Sequence, residues 1–158
     1  MYEPTSRECL QEDFGLLYAS EKTTDCVQSL HPHRLAALFA IFALAEIFSI
    51  QHTAGRGSRS QRSITFFNTS SALLTANPHN FLSQPTLGAV EALHTMTSFL
   101  FCLGDRDGAK AAWPLLGLCS RTSQAIGLNK DGSRWGIDAR EARERGRVFW
   151  ETNTYDLL

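Results

Sequence analysis

Stretches of helical hydrophobic period alternate along this chain with short polar breaks rich in glycine, proline or asparagine. Apolar residues recurring every three to four positions mark one face of a helix, whereas strict alternation marks a strand. Every strong segment shows the first pattern, and none sustains the second. The pattern predicts an all-α fold, an irregular multi-helix array of about five helices.

Residues 1–32 carry no clear period, and Tyr2, Phe14, Leu16, Leu17 and Tyr18 are their apolar anchors. They read as a loosely ordered N-terminal arm ahead of a helical domain over 33–158. His31-Pro32-His33 marks a helix start, because proline suits helix ends and not interiors. From His33 to Ile50 the chain is apolar almost all round, which predicts a helix buried on several sides. Gln51 to Gln61 is a polar loop. Ser63 to Ala76 places Ile64, Phe67, Ser71 and Leu74 on one stripe, and Asn77-Pro78-His79-Asn80 ends it.

After Pro85, with Thr86 as its cap, a helix reaches Leu103. Leu87, Val90, His94, Thr97 and Phe101 fall on one side of it. Leu93, Met96, Leu100 and Leu103 fall on the next, so this helix is central. Gly104 suits the left-handed position that closes it. Ala109 to Ile126 follows, with Leu115, Leu118, Cys119, Thr122 and Ile126 inward and a stop at Gly127. Pro114 conflicts with it, since an interior proline removes a hydrogen bond, so the helix either begins near Trp113 or bends there. A last helix begins at Asp138, where Asp138 and Glu141 have capping-box spacing.

Charge narrows the function. Fifteen basic residues oppose sixteen acidic ones, with no basic stripe of the kind that replaces phosphate counterions. Arg56, Arg59 and Arg62 are too sparse for more than a solvated loop. Cys9, Cys26, Cys102 and Cys119 form no closely spaced pair and read as reduced thiols. The apolar run from Leu35 to Ile50 is shorter than a bilayer span and contains Glu46, so no membrane segment is expected. No secretory leader is evident, and the Asn68-Thr69-Ser70 sequon is discounted accordingly.

No catalytic constellation emerges. His31, His33, His52, His79 and His94 are not spaced as a ligand set, and His94 reads as a hydrogen-bonded core histidine. The chain is read as a non-enzyme with no cofactor and no metal of its own. Arg121, Gln124, Arg134, Arg147 and Glu151 are the polar groups a helix hairpin brings together. They read as an interhelical network, with an effector pocket as the alternative. Trp113, Trp135 and Trp150 read as core anchors, with a pocket lining again the alternative.

The segment from Ala111 to Leu158 carries a series of motifs in order. They are Trp113, Leu116-Gly117-Leu118, Arg121 and Gln124, Gly127-Leu128-x-Lys130-Asp131, Arg134-Trp135-Gly136, Val148-Phe149-Trp150-Glu151 and Tyr155-Asp156. This series resembles the fungal-specific transcription factor domain, the regulatory middle region of zinc-cluster transcription factors of the xylanolytic-activator type. Pro114 and Asn129 depart from the family pattern. The resemblance is strongest from Thr86 onward and weaker from His33 to Ala76.

It implies a regulatory helical domain in a nuclear protein. Zinc and DNA contact would belong to a six-cysteine module outside these residues. Protein partners or homodimerisation through the parent, and a small-molecule effector, are implied as well. Trp150, Tyr155, Leu157 and Leu158 end the last helix without cover. The sequence is therefore expected to be a fragment or a truncated gene product, its array incomplete at the C-terminus. The alternative is a stand-alone helical interaction module or a metabolite-binding domain.

Overall fold

A computed structural model describes residues 5–18, 30–54, 60–76 and 78–156, with the side chains at 50–54, 133, 134 and 156 outside that description. The described residues form six α-helices and no strand. They are α1 (Arg7–Tyr18), α2 (Pro32–Ala54), α3 (Gln61–Thr75), α4 (Leu87–Leu103), α5 (Arg106–Ala125) and α6 (Ala139–Asp156), with one 3₁₀ turn at Gly132–Trp135 before α6. The fold is all-α, with six helices where the periodicity gives about five.

The additional helix is α1, which occupies part of the stretch read as a loose arm. Residues 1–4 and 19–29 of that arm lie outside the described residues. No backbone of another described helix approaches α1 closely. Side chains attach it instead, through Asp13 to Arg34, Glu12 to Arg140, and Phe14 to Phe42 at 6.1 Å between rings.

α4 is the axis of the domain. Every residue from Gly88 to Leu100 is buried. α2 and α5 pack along it, and α3 lies on α2. The α2–α4 contact is lined with small residues, Ala36, Ala37 and Ala40 against Ala89 and Ala92, so the two backbones come close. Burying each larger core side chain among them, such as Leu74 or Leu93, contributes about 1.5–3 kcal/mol. Where α3 meets α2, the buried Ser70 hydroxyl donates to the Ala36 carbonyl at 2.8 Å.

The helix ends follow the chemistry of their caps. Thr86 Oγ1 accepts from Ala89 N at α4, and Gly104, at φ 68°, closes that helix in the left-handed region. Asp105 Oδ1 accepts from Gly108 N at the start of α5. α5 therefore begins ahead of Trp113, and Pro114 lies inside it. Its missing N–H leaves a carbonyl one turn back on a solvent-facing side, where water can satisfy it.

The 18 residues Pro32–Ser49 of α2 are long and apolar enough, by length and composition, to cross a membrane, so the helix exceeds the apolar run counted in the sequence. Here α3 and α4 pack against it, and 44% of that span is buried.

Candidate functional site

α4 carries a single carboxylate, Glu91, which is 1% exposed. Such a charge is tolerated only when paired. Two arginines from different helices meet it. Arg34, on the first turn of α2, donates from Nη1 to Glu91 Oε2 at 2.5 Å. Arg147, in the middle of α6, donates from Nη2 to Glu91 Oε1 at 3.3 Å.

Each arginine then continues outward. The second terminal nitrogen of Arg34 reaches Asp13 on α1 at 2.5 Å. Arg147 also holds Glu144 at 3.0 Å and Glu151 at 3.5 Å. The result is one chain of alternating charge, from Asp13 through Arg34, Glu91 and Arg147 to Glu144 and Glu151, tying α1, α2, α4 and α6 together.

Burial pushes the Glu91 carboxyl up to about 7, against the pull of Arg34 and Arg147. One turn along α4, His94 lies next to the same lattice. Its Nε2 is 4.0 Å from Glu151, and its ring stands edge-on to Tyr155 at 4.9 Å between centroids. Burial first, and then the charge of Arg147, hold His94 down at about 4. It is neutral at ordinary pH, as a core histidine should be.

The α5–α6 junction makes a second feature. Gly127 takes φ 73°, and Leu128 turns back into the core at 3% exposure. Arg145 of α6 donates to the Ile126 carbonyl at 2.8 Å. Lys130 Nζ lies 5.4 Å from the centre of the Trp135 ring. Between these groups lies a recess of about 290 Å³, floored by Ile126 and Ile137.

A family model described as the fungal specific transcription factor domain matches residues 8–158. The chain belongs to this family. A segment of 55 residues is 31% identical to an uncharacterized transcriptional regulatory protein of Schizosaccharomyces pombe, and it spans 35% of this chain and 7% of that protein. No solved structure matches the chain.

The fungal transcription factor domain divides the polar set named from its sequence. Arg147 and Glu151 are joined, as the network reading requires. Arg121 and Gln124 are exposed on α5, and Arg121 makes no ion pair among the described residues, so neither belongs to the lattice. The side chains of Arg134 and Asp156, and all of Leu157 and Leu158, lie outside the described residues. Tyr155 is half-buried against His94.

The core-anchor reading of the tryptophans is corrected. Trp113, Trp135 and Trp150 are 65%, 68% and 70% exposed. On α5 the buried positions include Ala112 and Leu116, and on α6 they are Val148 and Thr152. At 100° per residue, positions 113 and 150 turn away from those faces.

Asp13, Arg34, Glu91 and Glu144 were not singled out from the sequence. One signal existed, a solitary carboxylate within a mostly apolar helix. The histidines His31, His33 and His79 do come together, with ring centroids 4.7 and 5.1 Å from His31. His33 uses both nitrogens internally, on Thr86 Oγ1 at 2.8 Å and the His79 carbonyl at 2.6 Å. Among the described residues no cluster of three or more ligand-type side chains is placed to hold a metal.

Proposed function

We propose that this chain is the regulatory, non-catalytic and non-DNA-contacting helical domain of a nuclear zinc-cluster transcription factor. In this reading it modulates DNA-templated transcription, while a separate zinc-cluster module of the parent contacts DNA. Protein partners or a second copy of the parent engage the regulator as a whole. Family membership supports the transcriptional role.

The observation that carries the rest is where the positive charge goes. Arg34 and Arg147 are turned inward onto Glu91, in a chain whose net charge is −1. A surface that follows a phosphate backbone needs arginines and lysines facing outward, unneutralised by their own protein. A lattice that ties several helices through one buried carboxylate suits a domain that holds or changes its shape as a unit.

Two measurements test this. The purified chain should not retard duplex DNA in a gel at low salt. Fused to an unrelated DNA-binding module in a reporter strain, it should change the output of that module several-fold. Salt-sensitive binding of the chain alone to DNA, or a fusion with unchanged output, overturns the proposal.

A further inference from the structure

The recess at the α5–α6 junction is chemically one-sided. Its floor is aliphatic, from Ile126 and Ile137, and one wall is the exposed Trp135 ring. Among the described residues its charged lining is Lys130 and Arg145, with no carboxylate, in a chain where acidic residues outnumber basic ones. Lys130 has no carboxylate partner among the described residues and rests against the Trp135 face. Arg145 is held in place by the Ile126 carbonyl at 2.8 Å and, more loosely, by Glu141 at 3.8 Å.

A helix C-terminus beside such a recess would ordinarily repel an anion. Here four carbonyls at the end of α5 and its cap are already engaged. Thr122 O accepts from Ile126 N, Ser123 O from Leu128 N, Gln124 O from Gly127 N, and Ile126 O from Arg145. Much of the partial negative charge of the helix end is thereby answered inside the protein, which leaves Lys130 and Arg145 as the charged groups a ligand meets. Gly127, where an added Cβ would meet only Lys130 Cδ at 3.9 Å, keeps a side chain off one edge, so a flat molecule can lie against backbone there.

From this arrangement we infer that the recess is a binding site for a small planar carboxylic acid. Its ring or unsaturated body lies on Trp135 and the isoleucines, and its carboxylate is taken by Lys130 with Arg145 beside it. At about 290 Å³ the space is at the small end of the range for ligand sites, which fits a single small acid and not a peptide. Aromatic stacking supplies the contact area, and the ammonium supplies the choice of an acid over its neutral analogue. Binding stands on the recess alone. Its use as a regulatory input rests on the function proposed above.

Calorimetry on the whole chain tests the binding, with 1-naphthoate as probe and 1-naphthamide as its neutral counterpart. Saturable one-to-one binding of the acid is expected, at least tenfold tighter than the amide. Lys130→Gln should weaken the acid at least fivefold and leave the amide unchanged. Trp135→Ala should abolish both, with the helical circular dichroism unaltered. No saturable binding, equal affinity for acid and amide, or an unchanged affinity in Lys130→Gln overturns the site. A reporter fusion that ignores an acid shown to bind would overturn only its regulatory use.

Discussion

Arg147 and Glu91 lie fifty-six residues apart in sequence and 3.3 Å apart in space. The contact joins α6 to the axial helix at the point where Arg34 arrives from the other side. One buried carboxylate on α4 therefore ties α2 and α6 to the same point of the axial helix. The lattice is the best-defined polar feature of the domain.

Replacing Glu91 by alanine leaves two guanidiniums, each with about a fifth of its side chain exposed, without their shared partner. The expected cost is about 3 kcal/mol, the low end for breaking a buried pair, because Asp13, Glu144 and Glu151 remain. Arg147→Met should cost less, since Arg34 still satisfies Glu91. A double-mutant cycle by urea unfolding should give a coupling of about 1–3 kcal/mol, and additivity would show the pair to be energetically idle.

The pH response should contain two opposed slopes. His94, lowered from 6.5 to about 4, stays neutral in the folded chain while the unfolded chain takes up a proton. Its contribution is intact above pH 6.5 and is lost as pH falls toward 4. Glu91, raised from 4.5 to about 7, binds its proton more tightly when folded, so its contribution is full below 4.5 and is lost as pH rises through 7. Between 4.5 and 6.5 the two slopes oppose each other, each approaching about 1.4 kcal/mol per pH unit. Glu91→Gln should lose stability on acidification relative to the parent, and His94→Gln should gain it. Parallel curves in urea titrations would refute the assignment.

Gly108 has no room for a side chain. A Cβ there would lie 2.7 Å from the Leu100 carbonyl oxygen and 2.9 Å from Asp105 Oδ1, and the first of these is backbone that cannot swing aside. Gly108→Ala should destabilise by about 2 kcal/mol, although alanine is the better helix former. Asp105→Ala, which removes only the cap, should cost about 1 kcal/mol. Thermal unfolding of both variants checks the order.

The docking of α1 should depend on salt. Its ion pairs to Arg140 and Arg34 are unequal, since Glu12 and Arg140 are 59% and 49% exposed at 2.7 Å, while Asp13 and Arg34 are mostly covered. Raising ionic strength shortens the Debye length and weakens the exposed pair first. Amide exchange over residues 7–18 should speed up several-fold in high salt while α4 is unaffected. Asp13→Asn should do the same in low salt. Exchange in α1 that follows global unfolding in every condition would contradict this.

Much of the fold was legible because hydrophobic period and caps act locally. Thr86, Gly104 and Asp138 each mark a boundary within a residue or two of where it falls. α1 was not legible, because RECLQEDFGLLY has little apolar stripe and is held by charges whose partners are far along the chain. The lattice was half legible. Arg147 and Glu151 sit one turn apart on one helix, whereas Glu91 finds Arg34 and Arg147 only after the chain has folded. The tryptophans were misread because hydrophobicity says what a residue prefers and not which way its helix is turned. α5 meets α4 through Ala112, Leu116 and Cys119, a face without space for an indole.

The outward indoles change how this protein can be observed. Its three tryptophans are already about two-thirds in water when folded, so their emission should be close to that of a solvated indole. Unfolding has little further to shift it. A fluorescence melt would register almost nothing while the helices dissolve, and a flat trace would be mistaken for exceptional stability or for a chain that never folded. Far-ultraviolet dichroism follows the helices themselves, and it is the signal by which this domain's stability should be judged.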